Sequence, residues 1–271
     1  MPPVRISWSR LRDFEECSER AHLLRQGHRS SVKNIRNFFP GTVVDRCMRT
    51  YLDADTQERG AMAAVVDTIM DREEQAAKDT GDGVVKWRNA TDRDKVRADC
   101  IECVTKLEPL LETLVVPFEW QAAWRFEVPF AVSGRQVLLI GELDLLVRKP
   151  DGLRVLDLKM TRDKDYWRKT FPQLCFYELA VFGATGQWPV RSGLIQPLCD
   201  QPVLPFQFTA DHRRELLGRV SRFAEAIFAD RHAPAASFKP CDDCVVRHAC
   251  PRFKASGNRA TIAAARPVPA P

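Results

Sequence analysis

What the 271-residue chain lacks closes off several classes of protein. It has no window of ~18 apolar residues, which excludes a helix that crosses a bilayer. The opening "MPPVRISWSRLRDFEEC" has no charged stretch followed by an apolar one, so a secretory leader is not expected. There is no G-x-x-x-x-G-K-[ST] phosphate loop, which argues against a nucleotide-driven motor, and there is no internal repeat. Charge of one sign is also scarce: 41 Lys+Arg against 36 Asp+Glu leave a net charge of +5. That excess permits a polyanionic partner without requiring one, because charge acts where it clusters.

Hydrophobic residues make up 45% of the chain, enough for one large domain with helical additions. The expected compartment is the cytoplasm, with no membrane association. Nine cysteines, an odd number, argue there against a disulfide framework and make some of them candidate metal ligands.

Apolar spacing predicts a first helix over 7–26 with Cys17 inside it, and a second that starts at Gly41 and carries Asp45 one turn before Arg49. Two more helices are expected over 57–79 and 91–114, with solvated charge on their outer faces. From residue 123 the period changes to two. "AWRFEVPFAV", "QVLLIGELDLLVR" and "LRVLDLKM", separated by Ser-Gly-Arg and Lys-Pro-Asp-Gly, read as three strands of a meander. A helix at about 170–184, short strands in 190–198 and 202–209, and an amphipathic helix capped by Asp211 complete the order. That order points to an α/β or α+β domain around one central sheet. The tail 256–271 is small, Pro-rich and expected to be disordered.

Two constellations carry chemistry. In "VLDLK", Asp157 and Lys159 share one face of a strand while Leu156 and Leu158 share the other. If the preceding strand pairs through the Lys-Pro-Asp-Gly turn, Asp144 reaches the same place. Two carboxylates so close repel unless a cation joins them, and oxygen ligands suit Mg²⁺ or Mn²⁺ rather than zinc. Gln173 and Tyr177, four apart, share a face of the following helix. The second constellation is "KPCDDCVVRHACPRF", with Cys241, Cys244 and Cys250 in a C-x2-C-x5-C pattern. His248 would complete a zinc site, whereas a distant cysteine would complete the shell of an iron-sulfur cluster. Cys47, Cys100, Cys103, Cys175 and Cys199 read as buried small hydrophobes.

These residues resemble the PD-(D/E)XK nuclease superfamily, in particular its RecB-like, CRISPR-associated exonuclease branch with a four-iron cluster. "SWSRLRDFEECSERAHLL" is similar to that branch's N-terminal Ser-x-(Ser)-x-Leu…Cys helix, "GELD" to its G-x-x-D strand, "LDLK" to its D-x-K strand and "QLCFY" to its Q-x-x-x-Y helix. With the C-terminal cysteines the resemblance spans residues 7 to 253. It implies a restriction-endonuclease-like mixed sheet flanked by helices in a single domain over 1–255. The core would be about 30–51 and 119–230, with a helical subdomain at about 52–118 and cluster segments at about 7–26 and 238–253.

The resemblance further implies that Asp144, Asp157 and the carbonyl of Leu158 hold Mg²⁺ or Mn²⁺, and that Lys159 serves the attacking water. Gln173 and Tyr177 would contact substrate or brace the site. Cys17, Cys241, Cys244 and Cys250 would carry a 4Fe-4S cluster. The branch has a histidine where "GTVVD" places Asp45, still an oxygen ligand for such a metal. The implied activity is a DNA exonuclease or end-processing nuclease; the alternative is a non-catalytic DNA-binding or assembly subunit of the same fold. The substrate would be single-stranded DNA or DNA with free ends. Arg162, Lys164, Arg168 and Lys169, interleaved with Tyr166 and Trp167, would meet its phosphates and bases. With no motor in the chain, a helicase, recombinase or CRISPR integration protein is an expected partner.

Overall fold

The computed structural model describes residues 3–28, 33–34, 36–54, 59–80, 83–89, 91–234 and 244–256. In chain order the elements are β1 (Val4–Ile6), α1 (Trp8–Glu16), α2 (Ser18–Arg25), β2 (Lys33–Asn34), α3 (Phe39–Asp53), a 3₁₀ turn (Met62–Val65), α4 (Val66–Thr80) and β3 (Gly83–Val84). There follow α5 (Asp92–Leu114), β4 (Glu119–Val132), β5 (Arg135–Lys149), β6 (Gly152–Leu158), α6 (Trp167–Thr185), β7 (Arg191–Ile195), β8 (Val203–Phe206), α7 (Ala210–Phe228) and α8 (Pro251–Ser256). The chain forms two compact units, Met1–Ser31 with Glu127–Gly141 and Arg214–Pro271, and Val32–Phe126 with Glu142–Arg213.

In the first unit β1 lies parallel to the start of β5, Val4 opposite Val137 and Ile6 opposite Leu139. Ser133 and Gly134 turn β4 into β5, both with positive φ (50° and 73°), the backbone a two-residue hairpin loop needs to match strand twist. Ser7 caps α1 by accepting from Arg10 N at 3.3 Å. The single helix expected over 7–26 is broken. Cys17 is extended (φ −165°), ends α1, and begins α2 with its Sγ accepting from Arg20 N at 3.4 Å. The helical spacing runs through this break because each short helix keeps its own apolar face.

The second unit holds most of the mixed sheet. β5 and β6 form an antiparallel hairpin over Pro150–Asp151, β6 runs parallel to β7, and β7 is antiparallel to β8. Leu145 and Val147 of β5 and Leu156 and Leu158 of β6 share a core with Val43, Val44, Cys47, Met48, Cys100, Cys103 and Leu107 of α3 and α5. α6 packs on β6 and β7. Such a strand, covered on both faces, reads as a near-continuous apolar run, as "LRVLDL" does apart from its charges.

Four helix starts differ from expectation; α4, expected from 57, begins at Val66 behind the 3₁₀ turn. α3 begins at Phe39, ahead of Gly41, with Pro40 in its first turn where a missing N–H costs nothing. α6 begins at Trp167 rather than near 170. α7 begins at Ala210, so Asp211 lies in its first turn, and Thr209 Oγ1 accepts from His212 N at 3.4 Å. The charged faces of α4 and α5 form ion pairs such as Arg97 with Asp67, the solvated arrangement expected of them. Glu178 on α6, 1% exposed, is satisfied by Ser192 Oγ at 2.8 Å and Arg213 at 3.0 Å; burial raises its pKa against both partners. Among the described residues no helix is long and apolar enough to cross a membrane.

Candidate active site

Alternation along β5 puts Leu143 and Leu145 on one face and Glu142 and Asp144 on the other. The register pairs Leu145 with Leu156, so one step further Asp144 stands beside Asp157 on the face that carries Lys159. Asp144 Oδ2 accepts from Leu158 N at 2.7 Å, which fixes the carboxylate across the end of β6. Lys159 N donates to Ile195 O at 2.9 Å and holds the chain after that strand to β7. Lys159 Nζ then lies 2.5 Å from Asp157 Oδ2 and 3.4 Å from Leu158 O. Gln173 Nε2 donates to Tyr177 Oη at 2.7 Å, one turn apart on α6 as their spacing predicted.

The electrostatics are those of a compact buried cluster. Asp157 is 1% exposed. Burial raises its carboxyl pKa, Lys159 pulls it back, and the Asp144 charge raises it again, with a net upward shift. Burial opposes the charge on Lys159, yet Asp157 and Asp144 outweigh it and hold the ammonium protonated. The Tyr177 hydroxyl is kept protonated by burial and by the same two carboxylates. Asp157 Oδ1 has no hydrogen-bond partner among the described residues. An unsatisfied buried polar atom costs about 1–3 kcal/mol, more when charged, a cost that a cation at this oxygen would offset.

Asp45 approaches from α3, close enough for the Asp144 charge to add to the burial that raises its pKa. Its Oδ2 lies 2.7 Å from Arg49 Nη2, while its buried Oδ1 has no hydrogen-bond partner among the described residues. Arg49 Nη2 also donates to Glu142 Oε1 at 2.6 Å, and Glu142 Oε2 accepts from Arg125 at 2.7 Å. Sequence reasoning set Asp45 beside Arg49 but missed Glu142. The alternation that puts Glu142 on the Asp144 face was the available signal. A cleft of about 600 Å³ opens here, its wall including Phe38, Asp45, Arg46, Asp144, Lys159 and Arg162.

The basic run past β6 divides. Arg162 is tied to α5 through Asp99 at 3.1 Å and Glu102 at 2.7 Å. Trp167, Arg168 and Lys169 form the first turn of α6 rather than a loop, with Arg168 over the Trp167 ring and Lys169 over that of Tyr166. Lys164 is exposed on the connecting turn.

Of the C-terminal cysteine set, Cys241 lies outside the described residues. Cys17, Cys244 and Cys250 are half-buried in the first unit. Burial pushes the Cys244 thiol up, and Cys17 and Cys250 are near enough for their charges to push it further. His248 instead meets the ring of His28, centroids 6.4 Å apart. Cys47, Cys100 and Cys103 are buried in the helical core, where burial raises each thiol to about 12. Cys175 is buried too, while Cys199 is only half-buried, its Sγ 3.3 Å from Thr161 O.

Comparison with known proteins bears on this arrangement. The model of the PD-(D/E)XK nuclease superfamily matches residues 5–251. Among solved structures, a protein from Eubacterium rectale whose exonuclease assignment is itself provisional is similar at 14% identity with a TM-score of 0.53, over 90% of this chain and 87% of that one. The protein SSO0001 is 14% identical with a TM-score of 0.39, over 77% of this chain and 94% of that one. No curated protein matches the chain.

Proposed function

The chain belongs to the PD-(D/E)XK nuclease superfamily, and from that membership we propose that it is a metal-dependent DNA exonuclease or end-processing nuclease. The observation that carries this reading is Asp157 Oδ1, buried beside Asp144 and Lys159 with no hydrogen-bond partner among the described residues. Asp144, Asp157 and the Leu158 carbonyl would hold Mg²⁺ or Mn²⁺, with Asp45 as a fourth oxygen donor. Such an ion supplies Lewis acidity to a phosphate oxygen and lowers the pKa of bound water.

The chain's own residues do the rest. The Leu158 amide keeps Asp144 turned into the site. Lys159, protonated and anchored through its backbone to β7, donates to the attacking water or to oxygens on which charge develops. Tyr177 keeps its proton, and with Gln173 braces the α6 side of the site. Lys164, Arg168 and Lys169 receive phosphates at the start of α6, where helix N–H groups add to the attraction. Arg162 reaches phosphate only by leaving Asp99 and Glu102. The substrate is DNA that is single-stranded or has free ends, and strand separation falls to a helicase, recombinase or CRISPR integration partner.

End-labelled single-stranded DNA incubated with Mg²⁺ or Mn²⁺ should be degraded by the wild type and not by Asp157→Ala or Asp144→Ala. Unchanged degradation by both variants would remove the assignment. The ion pair that ties Asp45 to Arg49 favours a second reading, a DNA-binding or assembly subunit without catalysis. Binding with no cleavage under either ion would select it.

A structural 4Fe-4S cluster on Cys17, Cys241, Cys244 and Cys250 is part of the proposal. Its support is the nearness of Cys17 and Cys250 to Cys244, and the helix break that sets the half-buried Cys17 at the α1–α2 junction. Protein purified without oxygen should be brown and carry about four irons per chain. Colourless protein with stoichiometric zinc in a thiolate-ligated site would replace the cluster by a zinc site.

A further inference from the structure

The first unit contains a second set of ligand-type side chains that the nuclease reading does not use. His22 stands in the last turn of α2, and Asp230 and His232 follow the end of α7. One ligand atom from each of the three lies within 4.8 Å of the others. We propose that His22, Asp230 and His232 bind a divalent transition-metal ion of the zinc class, which ties α2 to the end of α7.

The surroundings prepare this site. His232 Nδ1 lies 2.6 Å from Oε2 of Glu19, whose side chain is 6% exposed. A carboxylate that holds Nδ1–H fixes the tautomer and leaves Nε2 as the free lone pair, the usual support of a metal-bound imidazole. The backbone is held as well: Ala233 N donates to Ser18 Oγ at 2.9 Å, and Glu19 N donates to Ala233 O at 3.0 Å. These bonds bring the segment after α7 back onto α2 whether or not an ion is present.

Asp230 occupies an unusual position. Asp230 N donates to Ile227 O at 3.1 Å and Arg231 N to Ala226 O at 2.8 Å, a turn that ends a helix with one left-handed residue. Glycine is the common occupant of that position, yet here an aspartate holds φ 49°. Its side chain is 72% exposed, its Oδ1 lies 3.6 Å from His22 Nδ1, and Arg25 Nη2 approaches the same oxygen at 3.3 Å. Arg25 Nη2 is also 3.4 Å from His22 Nδ1, so the guanidinium, nearly half exposed, sits where the ion would and must swing into solvent.

Mixed nitrogen and oxygen ligands of this kind suit zinc and its first-row neighbours, with the remaining positions taken by water. Bonds of ~2.0 Å bring tetrahedral ligand atoms to about 3.3 Å from one another. The His22 and His232 rings are stacked, centroids 3.6 Å apart at 13°, so their lone pairs run side by side. Loading therefore requires one ring to turn, and since Glu19 holds His232 at 2.6 Å, His22 is the ring that does so.

The test uses the full chain stripped by a chelator and titrated with Zn²⁺ and, separately, Co²⁺. Beside any ion at Asp144 and Asp157, wild type should take up one ion that gives the weak visible bands of nitrogen and oxygen ligation to Co²⁺, without the strong near-ultraviolet band of thiolates. Asp157→Asn should keep that ion, which separates the site from the proposed nuclease metal. Asp230→Gly is the decisive variant, because glycine suits the left-handed turn. Its metal-free melting temperature should equal or exceed that of wild type while its affinity for the ion falls at least about tenfold, as should that of His22→Ala. Wild-type stoichiometry and affinity in both Asp230→Gly and His22→Ala, or a cobalt spectrum of thiolates alone, would overturn the proposal.

Discussion

Lys159→Met is expected to lower Mn²⁺-dependent hydrolysis of DNA by at least about 10³-fold, close to 4 kcal/mol of barrier, while Mn²⁺ binds as well as before or better. Methionine keeps the length and apolar stem of the side chain but removes the ammonium 2.5 Å from Asp157 Oδ2. That ammonium competes with a metal ion for the same carboxylates, so its loss leaves Asp144 and Asp157 with a stronger demand for a cation. What disappears is the donor held at the place where charge develops. Initial rates across a range of Mn²⁺ concentrations, with calorimetric titration of the ion, separate the two effects. Parallel loss of Mn²⁺ affinity and activity would reduce Lys159 to a structural partner of Asp157.

The second large effect is a pH dependence of metal binding. Burial and the Asp144 charge hold the Asp157 carboxyl above its ordinary range, although Lys159 works against them. In the metal-free protein the protonated carboxyl contributes stability that is complete below the unfolded carboxylate pKa and is lost as pH rises through the raised value. Mn²⁺ needs the ionised form, so the ion and the proton compete and the dependence reverses when metal is present. The rise in melting temperature caused by saturating Mn²⁺ should be small near about pH 5 and reach about 5 °C or more near about pH 8. In Asp157→Asn that pH-dependent gain should vanish. Equal Mn²⁺-induced shifts at both pH values in wild type would mean that Asp157 is not a ligand.

Where signals are local, the chain could be read directly. The meander around "GELDLLVRKPDGLRVLDLKM" was visible because strand alternation and turn residues are properties of neighbours, and the same alternation set Asp144, Asp157 and Lys159 on one face. Gln173 and Tyr177 meet because four residues make about one helical turn. Cys17 shows the limit: two short amphipathic helices in sequence give the same spacing as one long one, and only tertiary contacts reveal the break. Asp211 carried the cap signal on composition, yet the hydrogen bond from His212 N goes to Thr209 Oγ1, two residues earlier. The partnership of Arg49 with Glu142, and of His232 with Glu19, joins residues far apart in the chain and leaves no local trace. Arg162 read as a free cation in a basic run, but Asp99 and Glu102 on a distant helix hold it.

The central claim is that Asp144 and Asp157 hold a divalent ion at the end of β6. A crystal of the protein soaked in Mn²⁺ and measured for anomalous scattering tests it most directly. The account predicts a peak within ligand distance of carboxylate oxygens of both Asp144 and Asp157, absent in a crystal of Asp157→Asn. A Mn²⁺-saturated crystal with no peak beside Asp157, or one whose peak persists in Asp157→Asn, would contradict it.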